Sequence, residues 1–337
     1  MMDAPAKVRN NSIDIFRYIA AVLVIAHHTD VLLEIHPLIS YLVSQVIPRI
    51  AVPFFFAVAG YYYTIKLESG RPACAPYLKR LLKTYAAWSL IYFAADFLET
   101  GTLDIREMVT SFLIFGSEYH FWFFPSMFLS VLVSTLAHRM KWQKGLIALS
   151  LVLYLLGCLG HVYYVVGGKL PGLSALYEHP DFRWFCHAVL LGLPCFVCGT
   201  LVRRTEKFWR SFNCTIVHLA AALALFLGEI LVLKLLDWAR SNTMSVSLYL
   251  LMFTLLVWLL QHPAPKLTTL SAKCRTLANV SYYSHVLFIT LFNVMNKRLF
   301  SGMLTPTVKC LFVLLCTFVL GMLLSKSKSR IAKLLSA

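Results

Sequence analysis

Apolar residues in this chain run in stretches of about twenty, the length an α-helix needs to cross the hydrocarbon core of a bilayer. Ten such segments recur, at 12–34, 40–65, 80–97, 117–137, 145–166, 184–203, 214–236, 243–261, 277–297 and 306–325. A half-buried amphipathic stretch near 105–116 is expected ahead of the fourth. Connections are short and carry turn signals. The longest on one side, 66–79, holds Gly70, Arg71-Pro72 and Ala75-Pro76; the longest on the other, 167–183, holds Gly167-Gly168, Pro171-Gly172 and His179-Pro180. There is no fixed-period repeat and no low-complexity segment. The pattern predicts an all-α fold, a polytopic membrane helical bundle of about ten transmembrane helices forming one domain over 1–337. Any chemistry then falls to residues between helices.

Composition agrees. The 337 residues are 59% hydrophobic and 14% charged, with a mean hydropathy of +0.72; soluble domains carry about 25% charged residues. The net charge of +16 raises the question of nucleic acid, and its distribution answers it. With the N-terminus inside, twenty-one basic residues fall in inward segments, among them Lys7, Arg9, Lys66, Arg71, Lys328 and Arg330. Seven fall outside: Arg106, Lys169, Arg183, Arg240, Lys297, Arg298 and Lys309. Acids lean the other way, with Glu34, Glu99, Asp104, Glu107, Glu178, Asp181 and Asp237 outward. Positive residues stay on the cytoplasmic side, so both termini are expected in the cytoplasm. The basic excess serves topology and lipid headgroups, and nucleic acid is not an expected partner.

Nine cysteines lie mostly within spans or at their inner ends, which argues against a disulfide framework. Cys195-x-x-Cys198 has metal or redox spacing but no second pair or histidine partner, and reads as two small apolar packing residues. No metal site is expected. The first span is too long, and lacks a cleavage site, for a removable signal peptide.

Polar residues inside spans carry the candidate chemistry, because such groups usually face a bundle interior or a watery cavity. Arg17 and His28 are eleven positions apart in the first span. Eleven residues return a helix to within about 20° of its starting direction, about 16 Å further along the axis, so the two share a face. Asp14 is placed to pair with Arg17. The plainer readings are a snorkelling Arg17 and a hydrogen-bonded neutral His28; His27 points about 80° off the stripe and reads as structural. In Val52–Tyr62, an aromatic run ends at Gly60, where another helix can approach closely. Tyr77–Tyr85 opens the third span with Lys79, Arg80 and Lys83, which suit anionic lipid or a phosphate-bearing ligand. Glu118–Pro125 contains His120 and Trp122, more polar than an interfacial aromatic belt requires. Val280–His285 places Ser281 and His285 one turn apart; a helix-borne serine more often bonds its own i−4 carbonyl than acts as a nucleophile.

Taken in order, these five segments resemble the acyltransferase-3 family of integral membrane acyltransferases. That family has ten core spans, Arg-x10-His in the first, an aromatic run ending in a small-Gly-aromatic turn, a basic start to the third, a "HLWFL"-like segment and "S-x-x-Y-x-x-H" near the end. Here they match Arg17/His28, Phe54–Tyr61, Lys79–Tyr85, His120–Pro125 and Ser281–His285. Ala59 stands where most members have Ser, Lys83 where they have Arg, and Tyr283 is displaced from the usual Tyr. Within the family, the membrane half of the vancomycin-resistance membrane serine racemases is most similar. Those proteins carry a pyridoxal-phosphate racemase domain after the last span; this sequence ends at Ala337, so racemisation by that route is not expected.

The resemblance implies a bacterial plasma-membrane O-acyltransferase. It would move an acyl group, usually acetyl, from acyl-coenzyme A to a hydroxyl of a cell-envelope carbohydrate or related acceptor. His28 would be the base or transient acyl carrier and Arg17 would hold the donor or its carbonyl oxygen. Lys79, Arg80 and Lys83 would grip the donor's phosphates, and His120, Trp122 and His285 would bind the acceptor. A helical bundle with buried Arg, His and Asp also fits a transporter of an amino acid or other small polar solute.

Overall fold

The computed structural model describes residues 10–102, 104–179 and 185–336. Lys7, Arg9, Pro180, Asp181, Arg183 and Ala337 lie outside the described residues. Among the described residues there is no strand. Ten long helices follow one another: α1 (Asn11–Thr29), α2 (Pro37–Glu68), α3 (Cys74–Thr100), α4 (Phe123–Arg139), α5 (Gln143–Gly160), α6 (Cys186–Arg204), α7 (Ile216–Leu235), α8 (Val246–Gln261), α9 (Thr268–Leu299) and α10 (Pro306–Lys326).

Each apolar run expected to span falls on one of these helices, yet length and apolarity alone qualify fewer. α2, α5, α6, α7 and α10 qualify, and α8 with the start of α9 makes a sixth candidate, bent by 89° at a short break. α4 is shorter, at 17 residues. α1 carries Asp14, Arg17, His27 and His28, and α3 opens on Lys79, Arg80 and Lys83. The protein is thus an all-helical membrane protein with five or six plain spans. The expected ten is not reproduced on composition, because polar side chains between helices lower the hydropathy of the helices that carry them. The stretch near 105–116 forms a short helix, Ile105–Thr110, and a wider turn, Ser111–Phe115, with Ile105, Val109 and Leu113 exposed on it.

The packing centres on α1 and α6. α6 is the most enclosed of the five, with 78% of its apolar stretch inside, whereas α7 and α10, at 22%, lie at the periphery. α2 and α6 touch backbone to backbone: a Cβ on Gly60 would stand 1.8 Å from the Phe196 carbonyl oxygen, and one on Gly199 2.0 Å from that of Ala57. Without a hydrophobic drive between helices in lipid, such close approach supplies the dispersion contacts that hold them. α1 lies along α9 and touches α2, α8 and α10. Its start is clamped to the α8–α9 bend, where Asn10 Nδ2 donates to Leu259 O (2.7 Å) and Asn11 Nδ2 to Ala264 O (3.0 Å). Asn10 Oδ1 also caps α1 by accepting from Ile13 N at 3.1 Å.

An aromatic block ties α3 to α4. Tyr85 stacks between Phe112 (centroids 4.4 Å) and Phe124 (4.6 Å), and its hydroxyl donates to Phe112 O at 2.8 Å. Each such pair contributes about 0.5–1.5 kcal/mol beyond its buried area. The short helix Arg330–Leu335 is tied to α3 by Trp88 Nε1, which donates to Leu335 O at 3.1 Å. Cavities open at both ends of α1.

Candidate active site

A cavity of about 280 Å³ opens near the start of α1. Its walls are helical stripes. α9 contributes Arg275, Asn279 and Tyr282; α2 contributes Phe55, Ala59, Tyr62 and Lys66; α3 contributes Tyr77, Arg80, Leu81 and Thr84. Steps of three and four residues put each set on one face. Arg17 of α1 completes the wall. Arg17 Nη2 donates to Asn279 Oδ1 at 2.9 Å, and Arg17 pairs with Asp14 at 3.7 Å. Four cations, Arg17, Lys66, Arg80 and Arg275, therefore surround one small space.

A second cavity, of about 1070 Å³, opens at the other end of α1. His27 and His28 of α1, His120 and Trp122 ahead of α4, and His161 and His187 line it. His28 packs its ring against Tyr119 (5.1 Å) and stacks on His285 (5.2 Å). His120 lies 4.8 Å from His285. His285 is fully buried and sits behind His28 rather than on the wall. Its Nδ1 lies 2.8 Å from Tyr282 O. A carbonyl only accepts, so Nδ1 carries the proton and Nε2 keeps its lone pair, which has no hydrogen-bond partner among the described residues. His27 Nδ1 lies 2.7 Å from Ser44 O. Trp122 packs on His187 (4.9 Å) and Phe56 (5.8 Å). Tyr177, in the short helix Leu173–Glu178 after α5, is pushed up to about 12 by burial and stays a neutral donor to Leu156 O at 2.8 Å.

One side chain belongs to both cavities. Tyr282 lines each of them, is 6% exposed, and donates its hydroxyl to His120 O at 2.8 Å. Phe55 (5.8 Å) and Phe123 (5.6 Å) pack edge-on against its ring. The Arg17–His28 stripe thus runs from one cavity to the other past this aromatic partition.

A model of the acyltransferase domain family matches residues 10–326 of the chain. The chain belongs to the acyltransferase-3 family. Among curated proteins, the chain is 28% identical over 345 residues to an amino-acid racemase of Enterococcus faecalis, covering 97% of this chain and 48% of that protein. It is 29% identical over 274 residues to a serine/alanine racemase of Enterococcus gallinarum, covering 76% and 38%. The chain spans about half the length of these relatives, or less. No solved structure matches it significantly.

The expected site residues are divided between the cavities. His28, His120 and Trp122 meet at the larger one, with His285 one layer behind. Arg17 and Arg80 meet at the smaller one, whereas Lys79 and Lys83 are exposed off its wall. Arg275 and Lys66 take their place. In the sequence they registered only as inward charges, although Arg275, Asn279 and Tyr282 recur at helical spacing. Arg49, Arg240 and the His161–Cys186 pair (Nε2 to Sγ, 2.9 Å) also line or adjoin the larger cavity without having been singled out. They come from four separate segments, and no local motif joins them.

Proposed function

We propose that this acyltransferase moves an acyl group, acetyl in the simplest case, from acyl-coenzyme A to a hydroxyl of a cell-envelope carbohydrate or related acceptor. The observation that carries this reading is the pair of cavities that meet at Tyr282, one lined by four cations and the other by histidines. A polyphosphate donor suits the first and a hydroxyl acceptor the second. In this reading the chain crosses a bacterial plasma membrane ten times with both termini cytoplasmic, which puts the cationic cavity on the side where coenzyme A is found. α1, α3 and α4 then span as well, with Arg17, His27 and His28 of α1 and Arg80 of α3 facing the cavities.

The donor's phosphates sit among Arg17, Lys66, Arg80 and Arg275, and its arm covers the roughly 16 Å along α1 to the imidazoles. Tyr282 swings from between Phe55 and Phe123 to let the thioester reach His28. His28 takes the proton of the acceptor hydroxyl, the oxygen attacks the thioester carbonyl, and the carbon–sulfur bond breaks. The thiolate leaves with the proton returned by the His28 imidazolium, which closes the balance. His285, its tautomer held by the Tyr282 carbonyl, steadies the His28 ring. Trp122 and Tyr119 offer the flat faces on which sugars pack.

Purified protein with radiolabelled acetyl-coenzyme A and candidate glycans tests this directly. Label should pass to a glycan, and His28→Ala should remove transfer while leaving folded protein. A transporter of a small polar solute is the second reading, because one aromatic side chain between two cavities is also what a solute gate needs. Uptake of labelled serine or sugar into proteoliposomes, with no stabilisation by coenzyme A, would decide for it.

A further inference from the structure

The larger cavity holds a guanidinium for which the transfer step has no use. Arg49 lies in the tight turn Ile47–Ile50 within α2, on the wall it shares with His27 and His28. That stretch departs from regular helix: Tyr41–Val46 is a π-helical turn, and Pro48 and Pro53 give no backbone donors. Wide turns of this kind often accompany functional sites. Among the described residues the Arg49 side chain bonds only to Gln45, Nε donating to Gln45 O at 3.2 Å and Nη2 to Gln45 Oε1 at 3.5 Å. Among the described residues the ion pairs join Arg17 to Asp14, Arg203 to Glu68 and Glu206, and Arg210 to Glu206; none includes Arg49. Asp30 reaches it only through Gln45, whose Nε2 donates to Asp30 Oδ1 at 2.9 Å.

The second cation on this cavity is better provided for. Arg240 donates to Tyr177 O at 3.1 Å and lies over the Tyr164 ring at 5.2 Å. Glu178, the carboxylate on the wall, directly follows Tyr177 in sequence. A guanidinium within a membrane helix that lacks a counter-ion is costly. What offsets that cost is a ligand whose charge it meets, and the planar fork of Arg matches an oxyanion with two parallel hydrogen bonds.

We propose that Arg49 binds a carboxylate or phosphate carried by the acyl acceptor, and so presents a hydroxyl of the same molecule to His28. The inference rests on the acyl-transfer reading. It makes the acceptor anionic: a neutral sugar leaves Arg49 desolvated and unpaired, which is how a polar site rejects an analogue that lacks the matching group.

Matched pairs test it in full-length protein in lipid nanodiscs. Glucuronate against glucose probes a carboxylate source, and glycerol 3-phosphate against glycerol a phosphate source, with ligand-induced thermal stabilisation as the readout. At least one charged compound should bind about tenfold or more tightly than its neutral twin. Arg49→Gln should erase that preference, Arg49→Lys should keep part of it, and both should bind coenzyme A as wild type does. Equal binding of each pair, no binding of any of the four, or a preference that survives Arg49→Gln overturns the proposal. Should Arg49→Gln lose coenzyme A binding as well, its fold is compromised and Arg49→Lys carries the test. Failure of wild-type protein to bind coenzyme A or release its thiol counts against acyl transfer instead, and is read separately from the anion preference.

Discussion

Arg80 and Lys83 stand three residues apart at the start of α3, and the structure separates them. The face of α3 that lines the cationic cavity is made of Tyr77, Arg80, Leu81 and Thr84. At 100° per residue, Lys83 points roughly 110° from the middle of that face and Lys79 roughly 150°. Arg80 also lies over the Tyr77 ring at 5.5 Å, which directs it along the wall. If coenzyme A seats its phosphates there, Arg80→Gln removes a charge-assisted hydrogen bond of about 1.5–3 kcal/mol, a loss of about 10- to 150-fold in affinity. Lys83 sits across a helix whose diameter with side chains is about 12 Å. At that distance in water two charges interact by about 0.3 kcal/mol, and physiological salt screens this to about 0.1 kcal/mol, too little to measure.

The assay is a coenzyme A titration followed by thermal unfolding. At a concentration 100 times the wild-type dissociation constant, the ligand stabilises the native state by about 2.7 kcal/mol; a 30-fold weaker site leaves about 0.9 kcal/mol. Arg80→Gln should show the smaller value, and Lys83→Gln and Lys79→Gln the larger. Equal losses at Arg80 and Lys83 would refute the helical-face argument. A wild-type protein that coenzyme A does not stabilise would refute the donor assignment itself.

Three further outcomes are expected. Gly60→Ala and Gly199→Ala each force a methyl into a neighbouring backbone and should lower stability by about 1–3 kcal/mol or more; Gly228→Ala, with nothing within 4 Å, should be neutral or gain up to about 1 kcal/mol in the same unfolding assay. His28→Ala should lower the acyl-transfer rate by about 10²–10⁴-fold. His27→Ala should cost mainly its bond to Ser44 O, about 0.5–1.5 kcal/mol of stability, so equal rate losses at the two would break the assignment. In a cysteine-depleted background, single cysteines at Asp104 and Lys169 should label from outside the cell and one at Lys328 should not; the reverse pattern would overturn the orientation.

The sequence by itself determined the class of the molecule. Runs of apolar residues forbid a soluble fold, and most of the family's ordered motifs lie in helices whose local periodicity can be read from the residues alone. Close approach at Gly60 was legible for the same reason, since a glycine between aromatics leaves room for one thing, another backbone. The Arg17–His28 stripe was also legible, because eleven residues complete three helical turns whatever surrounds them. Which partner meets each face was not legible. Gly60 meets Gly199, Tyr282 meets His120, and His28 meets His285 through pairings of segments up to 257 residues apart, which no local period encodes. The charged cluster at the start of α3 shows the limit most plainly. Three basic residues on one turn look equivalent in sequence, and only the cavity wall that α3 shares with α2 and α9 selects Arg80 and adds Lys66 and Arg275. Tertiary structure alone decided that the stripe would join two separate cavities, because a cavity is the space left between helices and belongs to no single one of them.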